Sequence, residues 1–164
     1  MGLFTRGVVG VTSWPPIERL ITSTSAGQAL ARRFVAGDTR AEATDVARRL
    51  NQDRLLVSLD LLGEAVTDPD GVDRATDEYL KCLEMIPSEG LEANISVKLT
   101  QLGLAFDPDL AAQSLDRLAA TAHEAGTTVT VDMEDSRYTQ ATVDLYADAQ
   151  ARHGNLGVCL QAYL

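Results

Sequence analysis

Four short runs, VSLDLL at 57–62, ISVKLT at 95–100, VTVDME at 129–134 and VCLQAY at 158–163, repeat one pattern: small and apolar residues, then a strongly polar one in fourth place. Strand side chains alternate between faces, so Ser58 shares a face with Asp60, Ser96 with Lys98, Thr130 with Asp132 and Cys159 with Gln161. An open, doubly wound sheet lies under helices on both faces, and burying a charged residue at the same place on its strands would be costly. A closed barrel turns that face inward and opens it at the carboxyl ends of the strands, where such folds keep their active sites. One geometry then explains four polar positions.

The runs fall in strand-like segments predicted over 55–61, 93–99, 127–133 and 157–163, with helical patterns between them. In the first gap Val72, Ala75, Thr76, Tyr79, Leu80 and Leu83 recur at offsets of three and four, which makes one buried stripe. The second opens at Pro108, carries Ala111, Leu115, Leu118 and Ala122, and closes at Gly126; the third opens at Ser136, carries Tyr138, Thr142, Leu145 and Ala149, and closes at Gly154. Strands starting 30 to 38 residues apart, with helices between, imply right-handed crossovers and a parallel sheet. Upstream, three helices are predicted: from Pro16 to about Thr22, from a Ser25 cap to near Gly37, and from a Thr39 cap through Asn51.

The predicted fold class is therefore α/β. A helical lead-in over 1–53 precedes half of a (β/α)8 barrel over 54–164, four parallel strands with intervening helices, cut off after strand four. A whole barrel needs eight strands and typically about 250 residues. The chain is accordingly expected to be an incomplete part of an enzyme, or to be completed by another copy or another chain.

Charge narrows the partners. A formal net charge of -10 disfavours nucleic acid and anionic lipid. Cys82 and Cys159 have neither disulfide nor metal-ligand spacing and are expected in the core, and no run approaches the roughly 20 apolar residues of a spanning helix. The expectation is a cytoplasmic protein, with a peripheral contact to the inner membrane face left open, and no metal.

Taken alone, Asp60 and Lys98 read equally well as a structural ion pair or as functional groups at a barrel mouth. Glu64, Glu134 and Asp135 are expected to cap helix N-termini, His123 and His153 to sit at helix C-termini, and Trp14 to serve packing.

The wording of the sequence carries a resemblance. SLDLLGE at 58–64, SVKLTQLG at 96–103, VDMEDSRYT at 131–139 and NLGVCLQAYL at 155–164 resemble the N-terminal half of FAD-dependent proline dehydrogenases of the bacterial monofunctional type; RRFVAGDT at 32–39 resembles their helical lead-in. The resemblance implies a distorted barrel holding FAD that oxidises L-proline to Δ1-pyrroline-5-carboxylate, the first step of proline breakdown, by hydride transfer to flavin N5, with a quinone as electron acceptor. It implies Lys98 as the substrate-carboxylate ligand, Asp132 as the catalytic aspartate, Gln161 and Met133 as FAD contacts, and Asp60 as an orienter of Lys98 beside the substrate. It also implies that an arginine after the fourth strand, the groups gripping the FAD phosphates and a pair of carboxylate-clamping arginines lie beyond residue 164, so the isolated chain is expected to bind FAD weakly and to turn over little proline.

Three rival readings stand beside this one. Lys98 near carboxylates on a barrel strand also suits a Schiff-base aldolase. Asp60, Asp132 and Glu134 could supply oxygen ligands to a metal-dependent hydrolase, although no histidine joins them on a strand. An inactive truncated copy is the third.

Overall fold

A computed structural model describes residues 35–63 and 66–162. The helices expected over 16–22 and most of 25–37 lie outside these residues, as do Trp14 and Glu64; residues 35–37 are irregular. Two compact units divide the chain, Met1–Val46 and Ala47–Leu164. Within the first, Thr39 and Glu42 form a reciprocal capping box. The Glu42 N–H donates to Thr39 Oγ1 at 3.3 Å and the Thr39 N–H donates to Glu42 Oε2 at 3.2 Å, which starts helix α1 (Arg40–Gln52) where the Thr39 cap predicts.

The second unit alternates strand and helix: β1 (Val57–Asp60), α2 (Pro69–Ser88), β2 (Ala93–Lys98), α3 (Pro108–Glu124), β3 (Val129–Asp132), α4 (Thr139–His153) and β4 (Leu156–Cys159). The strands pair in parallel in the order β1-β2-β3-β4. A doubly wound sheet reverses its strand order partway; this one steps onward in one direction, as a barrel does. The core lies on one face. Ile95, Val97, Val129 and Val131 are fully buried there against Tyr79 and Leu83 of α2 and Leu115, Leu118 and Ala122 of α3. Each such aliphatic side chain contributes about 1.5–3 kcal/mol by leaving water.

The ends of the helices follow from single residues. The Asp68 carboxylate accepts the Gly71 N–H at 2.8 Å with Pro69 in the first turn, and Asp107 accepts the Leu110 N–H at 3.0 Å with Pro108 in the same place. At the other end of α4, Gly154 takes φ +75°, a left-handed conformation that a side chain would strain.

Three expectations need correction. Helix α4 starts at Thr139 rather than Ser136, because Asp135 makes a local turn in which its Oδ1 accepts the Arg137 N–H at 2.9 Å and its carbonyl accepts the Tyr138 N–H at 2.9 Å. Strand β4 stops at Cys159, leaving Gln161 two residues past its end. The ladder runs out there because its neighbour β3 ends at Asp132, the partner of Cys159. Cys159 is exposed, since that pairing puts it on the polar face, whereas Cys82 is buried as expected.

Candidate active site

Register assembles the polar face row by row. Asp60, Ser96, Thr130 and Gly157 are successive partners across the four strands, and Lys98, Asp132 and Cys159 form the next row toward the carboxyl ends. Partners in a parallel ladder point to the same side. The opposite residues, Leu59, Val97 and Val131, pack into the helical layer. Asp60, Lys98 and Asp132 thus lie on one face at the mouth, and Gln161 reaches it from beyond β4, its amide nitrogen donating to Asp132 Oδ1 at 3.2 Å and to the Met133 carbonyl. Met133 itself is buried at 3% exposure and offers the site its backbone oxygen.

The charges are paired in a particular way. Lys98 Nζ sits 2.5 Å from Asp60 Oδ2, with both side chains partly open to solvent. Asp132, opposite Lys98 in the register, has Gln161 as its hydrogen-bond donor. An ammonium at the barrel mouth beside a carboxylate held by an amide can bind an anion and hold a proton within one small area.

Several contributors were not singled out from sequence. The Tyr79 hydroxyl, buried on α2, lies 3.4 Å from Asp60 Oδ1 and donates to Gln101 Oε1 at 2.9 Å. The Gln101 amide nitrogen donates to the carbonyls of Leu61 at 3.0 Å and Gly63 at 3.3 Å. Burial, and next the negative charge of Asp60, raise the Tyr79 pKa above its ordinary value. A polar tip on the predicted apolar stripe was the available signal, since a buried phenol needs a partner. Glu134 does not cap a helix. Its carboxylate accepts the Thr100 N–H at 3.1 Å and the Thr100 hydroxyl at 2.6 Å, tying together the segments that follow β2 and β3. Asp135 turns to Arg137 instead, whose hydrogen bonds hold its carboxyl below the usual range.

The three carboxylates that a metal-hydrolase reading required go to separate partners: Asp60 to Lys98, Asp132 to Gln161 and Glu134 to Thr100. Among the described residues no cluster of three or more His, Cys, Asp or Glu is placed to hold a metal ion, and no helix is long and apolar enough to cross a membrane. His153 Nε2 lies 3.0 Å from Asp116 Oδ1 on the helical side, in a group with Arg152.

Singly wound parallel strands with one apolar face under helices, and one polar face charged at its carboxyl end, define half of a (β/α)8 barrel. Known proteins narrow the class. Residues 43–164 match the family model described as proline dehydrogenase, and the chain belongs to that family. It is 34% identical to proline dehydrogenase 1 of Bacillus subtilis (strain 168) over 134 residues, covering 82% of this chain and 44% of that protein. With the proline dehydrogenase of Deinococcus radiodurans it shares 30% identity over 167 residues, covering 99% of this chain and 53% of that one. The chain thus spans about half the length of the curated relatives it matches. In fold it matches the crystal structure of proline utilization A (PutA) from Bdellovibrio bacteriovorus inactivated by N-propargylglycine, with a TM-score of 0.77 at 18% identity, over 84% of this chain and 18% of that one.

Proposed function

We propose that this chain supplies the first four strands, with the helices between them, of the barrel of an FAD-dependent proline dehydrogenase, which oxidises L-proline to Δ1-pyrroline-5-carboxylate. In this reading residues 1–53 are the helical lead-in and 54–164 the first half of the catalytic barrel. FAD, when bound, supplies at N5 the acceptor for the hydride that leaves the ring carbon beside the proline nitrogen, and a quinone receives the electrons. Lys98 binds the proline carboxylate, with Asp60 orienting it. Asp132 either takes up the amine proton, which must leave for the nitrogen lone pair to assist loss of hydride, or fixes Lys98, its neighbour in the register. Gln161 turns its amide oxygen to the polar edge of the flavin ring, its nitrogen being held by Asp132 and the Met133 carbonyl, and Met133 contacts the ring at the same place.

The residues present fit such a group. Ser96, Thr130, Gly157 and Cys159 floor the polar face with small side chains that remain accessible, room on which a flat ring system can lie. The observation that carries the reading is the adjacency, in one register row, of Lys98 and Asp132 on a barrel of this family. The test uses the protein expressed from its own gene and loaded with FAD: L-proline added without oxygen is expected to bleach the visible flavin absorbance. Bound flavin that stays coloured in excess proline would overturn the assignment, and borohydride trapping of a carbonyl compound on Lys98 would favour the aldolase in its place.

A further inference from the structure

Tyr79 is a buried ionisable group beside the site that the proposed chemistry leaves unused. One oxygen of Asp60 holds Lys98 at 2.5 Å, and the other lies 3.4 Å from the Tyr79 hydroxyl. Gln101 commits its amide nitrogen to two carbonyls of the segment after β1, so its oxygen needs a donor, and the Tyr79 hydroxyl provides one at 2.9 Å. Tyr79 is 0% exposed and Gln101 4% exposed, and an unpartnered polar atom at such depth would be costly. The phenol is therefore fixed from behind by Gln101, and its oxygen faces the carboxylate that holds the lysine.

A phenol has one proton, and here two acceptors are within reach. While Lys98 balances Asp60, that proton is shared, more strongly with Gln101 at 2.9 Å and more weakly with Asp60 at 3.4 Å. When the ammonium turns toward a substrate carboxylate, Asp60 loses part of its counter-charge, and the same hydroxyl is on hand to donate to it. From this geometry we infer that Tyr79, braced by Gln101, is a positioning residue that holds the Asp60 carboxylate in the rotation presenting Lys98 to the carboxylate of the substrate. The inference rests on the role proposed above for Lys98. Burial and the Asp60 charge keep the phenol protonated, so it serves as a donor and not as a base.

The test compares Tyr79→Phe with the parent protein expressed from its own gene, and each again in an Asp60→Asn background. Loss of the brace loosens an interaction made equally in ground and transition states, so the proline KM is expected to rise roughly threefold to tenfold with kcat unchanged within about twofold. In the Asp60→Asn background the same substitution is expected to change KM by less than about twofold. An equal factor in both backgrounds, or a lower melting temperature with an unchanged KM, would overturn the inference. A second readout needs no turnover: acetic anhydride labelling of Lys98, measured by mass spectrometry against Lys81, the other lysine of this sequence. A looser ion pair leaves the Lys98 nitrogen out of the Asp60 carboxylate's hold for more of the time, so the Lys98 to Lys81 labelling ratio is expected to rise by about twofold or more in Tyr79→Phe. An unchanged ratio would contradict the brace. A parent protein that does not oxidise proline would instead sink the proposed function while leaving the labelling result readable.

Discussion

Individual side chains at the mouth do separable work, and their substitutions should fail in different ways. Replacing Lys98 by Met removes a cation held 2.5 Å from Asp60 and, in the proposed function, the ligand of the substrate carboxylate. A charge-assisted hydrogen bond contributes about 1.5–3 kcal/mol, so steady-state kinetics should show the proline KM raised about tenfold to hundredfold. Replacing Asp132 by Asn keeps the shape but removes the charge that, in the proposed function, takes the amine proton or fixes Lys98, and kcat should fall by about a hundredfold or more; full turnover in that variant would exclude both roles. Tyr79 gives a prediction that does not involve substrate. Its pKa is raised by folding above the ordinary 10.0, so above that pH the folded state holds a proton that the unfolded state has lost. Stability from this group is full below pH 10.0 and declines as pH rises beyond it. Urea unfolding at alkaline pH should show a steeper loss in the parent than in Tyr79→Phe, and parallel slopes would contradict the shift.

Secondary-structure elements bring these side chains within reach of each other, and here sequence periodicity was informative up to the strand ends. The Val72–Thr76–Tyr79–Leu83 stripe, the proline start at 108 and the glycine stop at 154 are local physics, and they appear in the structure. What local pattern could not reveal depends on partners distant in the chain. Strand β4 ends where β3 ends, so Gln161 meets Asp132 from a loop rather than from a strand. Glu134 looks like a helix cap in sequence because an acid precedes a helix, yet its partner Thr100 lies 34 residues away. That clamp joins the segments carrying Lys98 and Asp132 two residues downstream of each. Glu134→Ala leaves the N–H and hydroxyl of a Thr100 that is 6% exposed without an acceptor, which should cost about 1–3 kcal/mol in denaturant unfolding. At the entry to α2, Asp68→Ala removes the acceptor of the Gly71 N–H and should cost about 1 kcal/mol.

Taken as a molecule, the second unit is a sheet with one face sealed under helices and the other polar and accessible. The order of four parallel strands and the side on which each polar residue lies were legible in the sequence, since both follow from period-two alternation repeated at regular spacing. The Asp60–Lys98 pair was anticipated there too; the contacts of Tyr79 and Gln101 behind it were not, because these residues come from α2 and the turn after β2 and meet only once those segments pack. The most direct test is a crystal structure of the protein expressed from its own gene, bound to FAD and a proline analogue that cannot be oxidised. The account predicts the analogue's carboxylate within about 3.2 Å of Lys98 Nζ, with the flavin lying over the row formed by Ser96, Thr130 and Gly157. An analogue or flavin bound on the helical side of the sheet, or a carboxylate held away from Lys98, would contradict it.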